Sequence, residues 1–254
     1  MNLDILQNLK SNDIHQKPYP YLYIENALPI ETYEKLYENF PVEEIKNKTK
    51  LIENHTHRLF SDDVLNKNIA NIPSIWKDFF EYHTSQEFYN KVLNLFPNSF
   101  NDKFKNQKVR IRGTAGADDD KIVTDTQFVI HRPHETTTRT THLDNPLEMY
   151  AGLFYLRQRG DNGKGGEFQI YETDEITQVY FKSGREILDN QPRKLIRTIP
   201  YKENSFVMFI NTNKSTHGVT PRTKTLYDRL SINIIAEIER RKDKPLFMLE
   251  EIER

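Results

Sequence analysis

The chain has 254 residues, which is enough to bury a sizeable core, and 15 Phe, 13 Tyr and 1 Trp supply aromatic side chains for it. Its 36 Lys and Arg nearly cancel its 37 Asp and Glu, so the formal net charge of −1 gives no electrostatic argument for binding nucleic acid or an anionic membrane. The absence of cysteine excludes disulfides and thiolate chemistry, so His, Asp and Glu must hold any metal.

The N-terminal segment MNLDILQNLKSNDIHQ lacks the apolar core of a secretion signal. No apolar run approaches the ~20 residues that a membrane span requires. We therefore expect a soluble, cytoplasmic protein without membrane association.

The first hundred residues have the apolar spacing of amphipathic helices. A short strand is expected in YPYLYIENAL, followed by helices over about 31–40, 75–82 and 88–96. Proline residues mark the boundaries of these three helices: Pro41, Pro73 and Pro97.

From residue 107 the pattern changes to short apolar runs rich in β-branched and aromatic residues, which favour strands. These runs are QFVIH (127–131), MYAGLFYL (149–156), EFQIY (167–171), SFVMFI (205–210) and RLSINIIAEI (229–238). Helices followed by many short strands predict an α+β fold or a helix-buttressed β-sandwich. We expect a helix-rich region (1–106) packed on a β-rich core (107–238), and a charged tail (239–254) that is solvated or forms a short helix.

A candidate metal site lies in the tripeptide His-Leu-Asp at 142–144. Residues two apart in a strand point to the same face, so His142 and Asp144 can present an imidazole and a carboxylate to one ion. The best third ligand is His217, just after the run SFVMFI. Two His and one carboxylate form the facial triad of non-haem Fe(II) oxygenases.

A rival pair, His55 and His57, lies in the polar sequence ENHTHRLFSDD with no evident partner strand, and is interpreted as part of a surface loop. The remaining histidines are interpreted as surface or hydrogen-bonded residues: His15, His83, His131 and His134.

Twelve residues after His217, Arg229 and Ser231 share one face of the next strand. The planar guanidinium of a buried Arg can bind both oxygens of a carboxylate, and a nearby hydroxyl can assist it. The alternative for Arg229 is an ordinary salt bridge to Asp228 or to a glutamate of the tail.

Together, His142-Leu-Asp144, His217-Gly-Val-Thr-Pro221 and Arg229-Leu-Ser231 resemble the Fe(II)/2-oxoglutarate oxygenases of the prolyl-4-hydroxylase-like group. The resemblance covers roughly residues 107–238. The helical first third resembles the segment that precedes this domain in uncharacterised microbial and phage-borne members.

The resemblance implies a double-stranded β-helix, a cupin-like jelly roll with iron between its two sheets. It also implies Fe(II) on His142, Asp144 and His217. The cosubstrates would be O₂ and 2-oxoglutarate, whose distal carboxylate would be held by Arg229 with Tyr155 and Ser231. The segment GGEF at 165–168 looks like the family's glycine-rich turn. Because the spacing from His217 to Arg229 is slightly longer than usual, Arg222 remains the alternative partner of the carboxylate.

The implied reaction is hydroxylation of an unactivated C–H bond, with release of succinate and CO₂. Asp144 argues against halogenation, which needs that coordination position for halide. Three alternatives stay open: a cupin-like isomerase or epimerase, a dioxygenase that does not use 2-oxoglutarate, and a non-catalytic binding module.

The substrate is not defined by the sequence. Arg139 and Arg222 flank the segments that deliver the metal ligands, so they are candidates to bind an anionic substrate, either a small molecule or a side chain. Arg157 and Arg159, at the start of the glycine-rich loop, could complete a ring of arginines around the mouth. The alternative is that these arginines balance neighbouring acids.

Overall fold

The computed structural model describes residues 1–52, 55–67, 71–116, 121–133, 140–181, 184–239 and 243–253. Its α-helices lie in the N-terminal part of the chain: α1 (Ile30–Glu38), α2 (Val42–Lys48), α3 (Ser61–Leu65), α4 (Ser74–His83), α5 (Gln86–Leu95) and α6 (Asp102–Lys105). A 3-10 turn, Ser11–Asp13, precedes them.

The strands, in chain order, are β1 (Ile14–His15), β2 (Tyr21–Glu25), β3 (Thr56–Leu59), β4 (Val109–Ile111), β5 (Ile122–His131), β6 (His142–Leu143), β7 (Glu148–Tyr155), β8 (Phe168–Thr173), β9 (Gln178–Phe181), β10 (Arg185–Ile187), β11 (Arg193–Ile199), β12 (Ser205–Ile210), β13 (His217–Val219), β14 (Arg229–Ile238) and β15 (Glu250–Ile252).

The described strands form two mixed sheets that face each other. The larger has the order β1-β2-β12-β7-β14-β5-β3, with β4 beside β5, and the smaller has the order β11-β8-β13-β6-β10-β9-β15. Neighbouring strands are antiparallel except for the pairs β4–β5 and β9–β15. The aromatic-rich core between the sheets includes Tyr155, Phe168 and Phe209.

The N-terminal helices cover the outer face of the larger sheet. Trp76 and Phe80 on α4 pack against Phe128 on β5, with ring centroids 5.0 and 4.7 Å apart, and Phe79 stacks on Phe154 of β7. The helical side chains are buried because their apolar residues recur every three or four positions and so form one stripe that faces the sheet.

The alternation of side chains along β14 separates this core from the opposite face of the sheet. Leu230, Ile232 and Ile234 belong to the core under the helices. Arg229 and Asn233 instead line a cavity between the two sheets. Because successive residues of a strand point to opposite faces, one strand supplies both the core and the cavity wall.

Two local expectations were wrong. The segment around His57 is not a surface loop: β3 pairs with β5, and Thr56 and His57 are buried. Backbone hydrogen bonds to β5 hold this polar segment at the edge of the larger sheet. The imidazole of His57 contacts the hydroxyl of Thr49. The C-terminal tail is neither solvated coil nor helix throughout, because β15 pairs with β9.

Strands β2 and β3, from the helix-rich first 106 residues, lie within the larger sheet. The proposed division at residue 106 therefore does not coincide with a break between sheets. None of the described helices is long and apolar enough to cross a membrane.

Candidate active site between the two sheets

Three side chains with metal-binding atoms converge at one point between the sheets. Nε2 of His142 lies 3.6 Å from one carboxylate oxygen of Asp144, and Nε2 of His217 lies 3.6 Å from the other. The ligand atoms all lie within 4.8 Å of one another. Among the described residues this is the one cluster of His, Asp and Glu that could hold a metal ion in this way.

The smaller sheet brings the two histidines together. His142 on β6 and His217 on β13 are direct register partners, although 75 positions separate them in the sequence. Their Nδ1 atoms lie 2.7 Å from the carbonyl oxygen of Thr140 and 2.8 Å from that of Ser215. Because a carbonyl only accepts hydrogen bonds, Nδ1 of each ring carries the proton and Nε2 is left with the lone pair that a metal needs.

Aromatic rings enclose this cluster on the side of the sandwich core. Phe168 stacks on the imidazole of His217 with centroids 5.2 Å apart, and Phe209 contacts the same ring at 4.4 Å. Both histidines are only 4% exposed. The rings fix the orientation of His217 and keep bulk water away from one side of the cluster.

A buried arginine lies in the wall of the same cavity. Arg229 is 3% exposed, and its Nε and Nη2 donate long hydrogen bonds of 3.4 and 3.3 Å to the carbonyl oxygen of Gly166. Within the described ranges it has no carboxylate partner, and Asp228, the alternative predicted from the sequence, is paired with Lys46. Arg229 is therefore a buried cation whose charge the described protein does not balance.

Two hydroxyl groups next to this guanidinium lack hydrogen-bond partners. Ser231 and Tyr155 are register partners on β14 and β7, and the Ser Oγ and Tyr Oη atoms are buried without a partner in the described structure. The guanidinium carbon of Arg229 is 4.9 Å from the Tyr155 ring. Burial raises the pKa of Tyr155 although Arg229 lowers it, so the phenol remains a donor at neutral pH.

Arg222, the other candidate for the carboxylate, lines the cavity but already has a partner. Its Nη2 lies 2.7 Å from Oδ2 of Asp161, and its Nη1 donates to the carbonyl oxygen of Tyr227. The guanidinium charge of Arg222 is thus already paired with a carboxylate of the protein, whereas that of Arg229 has no such partner among the described residues.

The glycine-rich turn allows Arg229 and the His217 segment to approach closely. Gly165 has φ of +88°, and a Cβ atom there would lie 1.9 Å from the carbonyl oxygen of Pro221. At Gly166, a Cβ would lie 3.3 Å from Nε of Arg229. These two positions require glycine because the backbone packs directly on the wall of the cavity.

The predicted ring of arginines around the mouth is not formed by the described residues. Arg157 donates to the carbonyl oxygens of Tyr201, Asp161 and Gly163, and Arg159 pairs with Glu34 on the surface. Arg139 lies outside the described residues. Two other arginines, Arg58 and Arg132, line the cavity.

Sequence reasoning missed several residues of the site. Phe168 is part of the quoted GGEF segment, so its position was marked, but its stacking on His217 was not predicted. Phe209 lies in the predicted strand SFVMFI, but its contact with His217 was not predicted. Tyr201 and Asp161 belong to no local sequence pattern and reach the site through contacts between distant parts of the chain.

The cavity that unites these groups measures about 180 Å³. The histidine–aspartate cluster, Arg229 and Arg222 all line it. Its lining offers both a set of metal-binding atoms and a buried guanidinium that could bind a carboxylate.

Comparison with known proteins agrees with this geometry. Residues 126–236 match the family model of the 2OG-Fe(II) oxygenase superfamily. No curated protein matches the sequence significantly.

Among solved structures, a prolyl-4-hydroxylase from Pseudomonas putida is 11% identical, with a TM-score of 0.50 over 86% of this chain and 92% of that chain. A prolyl 4-hydroxylase from Phytophthora capsici is 14% identical, with a TM-score of 0.49 over 87% of this chain. The present chain spans 60% of the length of that structure. A viral collagen prolyl hydroxylase from Paramecium Bursaria Chlorella virus-1 is 12% identical, with a TM-score of 0.44 over 87% of this chain and 96% of that chain.

The segment matched by the family model contains the complete histidine–aspartate cluster, Tyr155 and Arg229. Residues 126–236 are therefore similar to the 2OG-Fe(II) oxygenase superfamily, a family of enzymes that use Fe(II), 2-oxoglutarate and O₂.

Proposed function

We propose that this protein is a hydroxylase that oxidises an unactivated C–H bond while converting 2-oxoglutarate to succinate and CO₂. The observation that carries the proposal is the shared cavity of the histidine–aspartate cluster and the unbalanced Arg229 guanidinium. We further propose that the two sheets form a double-stranded β-helix, with the metal between them.

The cluster suits Fe(II). Two neutral imidazoles and one carboxylate favour this ion and leave three coordination positions for other ligands. His142 and His217 would bind through Nε2 because their Nδ1 atoms donate to backbone carbonyls. Asp144, whose oxygens face both rings, would supply the anionic ligand.

The part of the cavity wall at Arg229 suits the distal carboxylate of 2-oxoglutarate. A buried cation without a counter-ion destabilises a protein by several kcal/mol, so an arginine such as Arg229 is expected to meet an anion in the working state. Ser231 and Tyr155 each hold a buried hydroxyl that could donate to the same carboxylate. A monocarboxylate clamp accounts for all three unsatisfied groups at once.

When bound, iron and 2-oxoglutarate together supply the oxidising power that no amino-acid side chain has. The residues of this chain would bind the metal and the cosubstrate, orient them and shield them from water. Arg229, Tyr155 and Ser231 would fix one end of the cosubstrate, and the metal ligands would fix the other. Phe168 and Phe209 restrict water on the core side of His217, which favours coupling of oxidation to the bound substrate.

The alternatives are less compatible with this arrangement. A cupin-like isomerase, or a dioxygenase that does not use 2-oxoglutarate, has no need for a buried cation in the cavity wall with two unpaired hydroxyls beside it. A non-catalytic binding module has no need for the complete ligand set.

The substrate role of Arg139 and Arg222 stays a prediction. Arg139 lies outside the described residues. Arg222 is paired with Asp161, so an anionic substrate would have to compete with that ion pair.

The proposal is tested by incubating the protein with Fe(II), 2-oxoglutarate and air, and measuring succinate and CO₂. The assay follows turnover of 2-oxoglutarate itself without an added substrate, so it needs no knowledge of the substrate. Succinate that depends on iron and is lost in His217→Ala supports the proposal. Iron-loaded protein that forms no succinate and does not bind 2-oxoglutarate would contradict it.

A further inference from the structure

A fully buried carboxylate, Asp161, organises the loop beside the proposed clamp. Its Oδ1 accepts hydrogen bonds from the backbone N–H of Gly163 at 2.9 Å and the hydroxyl of Thr225 at 3.1 Å. Its Oδ2 lies 2.7 Å from Nη2 of Arg222 and 3.5 Å from Nε of Arg157. The side chain of Asp161 is 0% exposed, so water does not screen these contacts.

Three guanidinium groups surround one buried phenol ring near this carboxylate. The guanidinium carbons of Arg157 and Arg222 each lie 5.7 Å from the centroid of Tyr201, and that of Arg229 lies 5.0 Å from it. Burial raises the pKa of Tyr201 to about 12, so the phenol is neutral and balances none of these charges. The carboxylate of Asp161 therefore supplies negative charge to this group of arginines.

The three cations differ in what balances them. The side chain of Arg157 is 33% exposed, so solvent screens its charge. Arg222, whose side chain is 4% exposed, is neutralised by Asp161. Arg229 is buried and has no carboxylate partner among the described residues. Of these three arginines, Arg229 alone is both shielded from solvent and without a carboxylate partner among the described residues.

We propose that Asp161 sets the charge of the anion that the clamp accepts, because it neutralises Arg222 and leaves Arg229 as the cation available to a ligand. This inference rests on the proposed function. With Arg229 as the one cation of this cluster that is buried and not neutralised, a monoanionic carboxylate beside it is balanced, whereas a phosphate-like dianion would retain an uncompensated negative charge in a buried place. Asp161 is thus a positioning residue that makes the pocket selective for carboxylates.

The test compares 2-oxoglutarate with 4-phosphono-2-oxobutanoate, in which a phosphonate replaces the distal carboxylate. Equilibrium affinities are measured without O₂ on the Fe(II)-loaded protein near pH 8, where the phosphonate is mainly a dianion. The wild type should prefer 2-oxoglutarate. In Asp161→Asn the freed charge of Arg222 should shift the affinity ratio towards the phosphonate by about tenfold or more, because each added charge acts in a low-dielectric pocket. The larger size of the phosphonate cancels when the ratio is compared between variants.

The double variant Asp161→Asn/Arg222→Gln distinguishes the effect of the freed Arg222 charge from a structural disturbance caused by the substitution at Asp161. It removes both partners of the ion pair, so the affinity ratio should return to within about threefold of the wild-type value. Asp174→Asn, which removes an exposed carboxylate elsewhere, should leave the ratio unchanged. A ratio in Asp161→Asn equal to the wild-type ratio would overturn the inference.

If Asp161→Asn does not fold, the single variant Arg222→Gln tests the inference independently. Asp161 keeps Arg157 as its partner in this variant, so 2-oxoglutarate should still bind with the wild-type ratio. Loss of binding as severe as in Arg229→Gln would make Arg222 a direct ligand and overturn the inference. If the wild type itself binds no 2-oxoglutarate, the proposed function fails rather than the role of Asp161.

Discussion

The guanidinium carbon of Arg229 lies 4.9 Å from the ring of Tyr155, whose buried hydroxyl has no hydrogen-bond partner in the described structure. Strand pairing sets this relationship, because Ser231, two residues after Arg229, is the register partner of Tyr155. Strand pairing therefore arranges a cation and two hydroxyl donors on adjacent strands. Such an arrangement reduces the conformational cost of binding a carboxylate.

Replacing the cation should weaken cosubstrate binding without affecting the metal. Arg229→Gln removes a charge-assisted pair to a buried carboxylate, and we expect a loss of roughly 2–5 kcal/mol in the binding free energy of 2-oxoglutarate. Calorimetric titration of the metal-loaded protein under anaerobic conditions measures this loss. Arg159→Gln, which removes a surface arginine paired with Glu34, is the matched control and should bind normally. Normal affinity in Arg229→Gln would eliminate the clamp.

Removing the phenolic hydroxyl should have opposite effects on binding and stability. Tyr155→Phe loses one hydrogen bond to a charged group, so 2-oxoglutarate should bind about 1.5–3 kcal/mol more weakly. The same substitution removes a buried hydroxyl that lacks a partner, so the free energy of unfolding of the ligand-free protein should stay equal or increase. Chemical denaturation with and without 2-oxoglutarate measures both effects. A large destabilisation of the ligand-free variant would show that Tyr155 has a structural hydrogen bond.

The three proposed metal ligands should be individually necessary. His142→Ala, Asp144→Ala and His217→Ala should each abolish turnover and weaken Fe(II) binding, while the circular dichroism spectrum stays close to that of the wild type. Bound iron after desalting is the direct measurement. His55→Ala, at an exposed histidine of the rival pair, should retain iron and activity. Full iron content in His217→Ala would mean that another residue is the third ligand.

A histidine away from the active site should make stability depend on pH. Burial lowers the pKa of His83 from 6.5 to about 4, while its Nδ1 donates to the carbonyl oxygen of Phe79. The unfolded chain takes up this proton at a higher pH than the folded protein, so the stabilising contribution is present above pH 6.5 and is lost as the pH falls towards 4. The loss corresponds to roughly 3 kcal/mol.

The measurement is the free energy of unfolding of the wild type and of His83→Gln at several pH values between 7 and 4. The wild-type value should fall more steeply than that of the variant. Parallel pH profiles would show that His83 is protonated to the same extent in both states.

The long apolar strands could be predicted from the sequence because their composition and their burial agree. SFVMFI and RLSINIIAEI coincide with β12 and β14, and the three predicted helices correspond to α1, α4 and α5. In contrast, β11 was missed, because RKLIRTI is largely exposed at a sheet edge and its polar residues give no clear alternation. Strand β3 was missed although it is largely buried, because the polar residues of THRL give no apolar pattern and hydrogen bonding to β5 forms the strand.

The candidate site could be predicted from the sequence only in part. His142, Asp144, His217 and Arg229 were selected by strand periodicity and by resemblance to a family, and the structure brings them into one cavity. The ion pair of Arg222 with Asp161 could not be predicted, because 61 positions separate the two residues and neither belongs to a periodic pattern. Charge balance in a buried site depends on such long-range pairs, so the sequence alone could not distinguish Arg222 from Arg229.

We expect iron and 2-oxoglutarate to bind together in the cavity between the sheets. The most direct measurement is the visible absorption of the Fe(II)-loaded protein during an anaerobic titration with 2-oxoglutarate. We expect a weak charge-transfer band that saturates at one 2-oxoglutarate per iron and that is absent in His217→Ala. Iron-loaded wild-type protein that develops no such band at saturating 2-oxoglutarate would contradict this expectation.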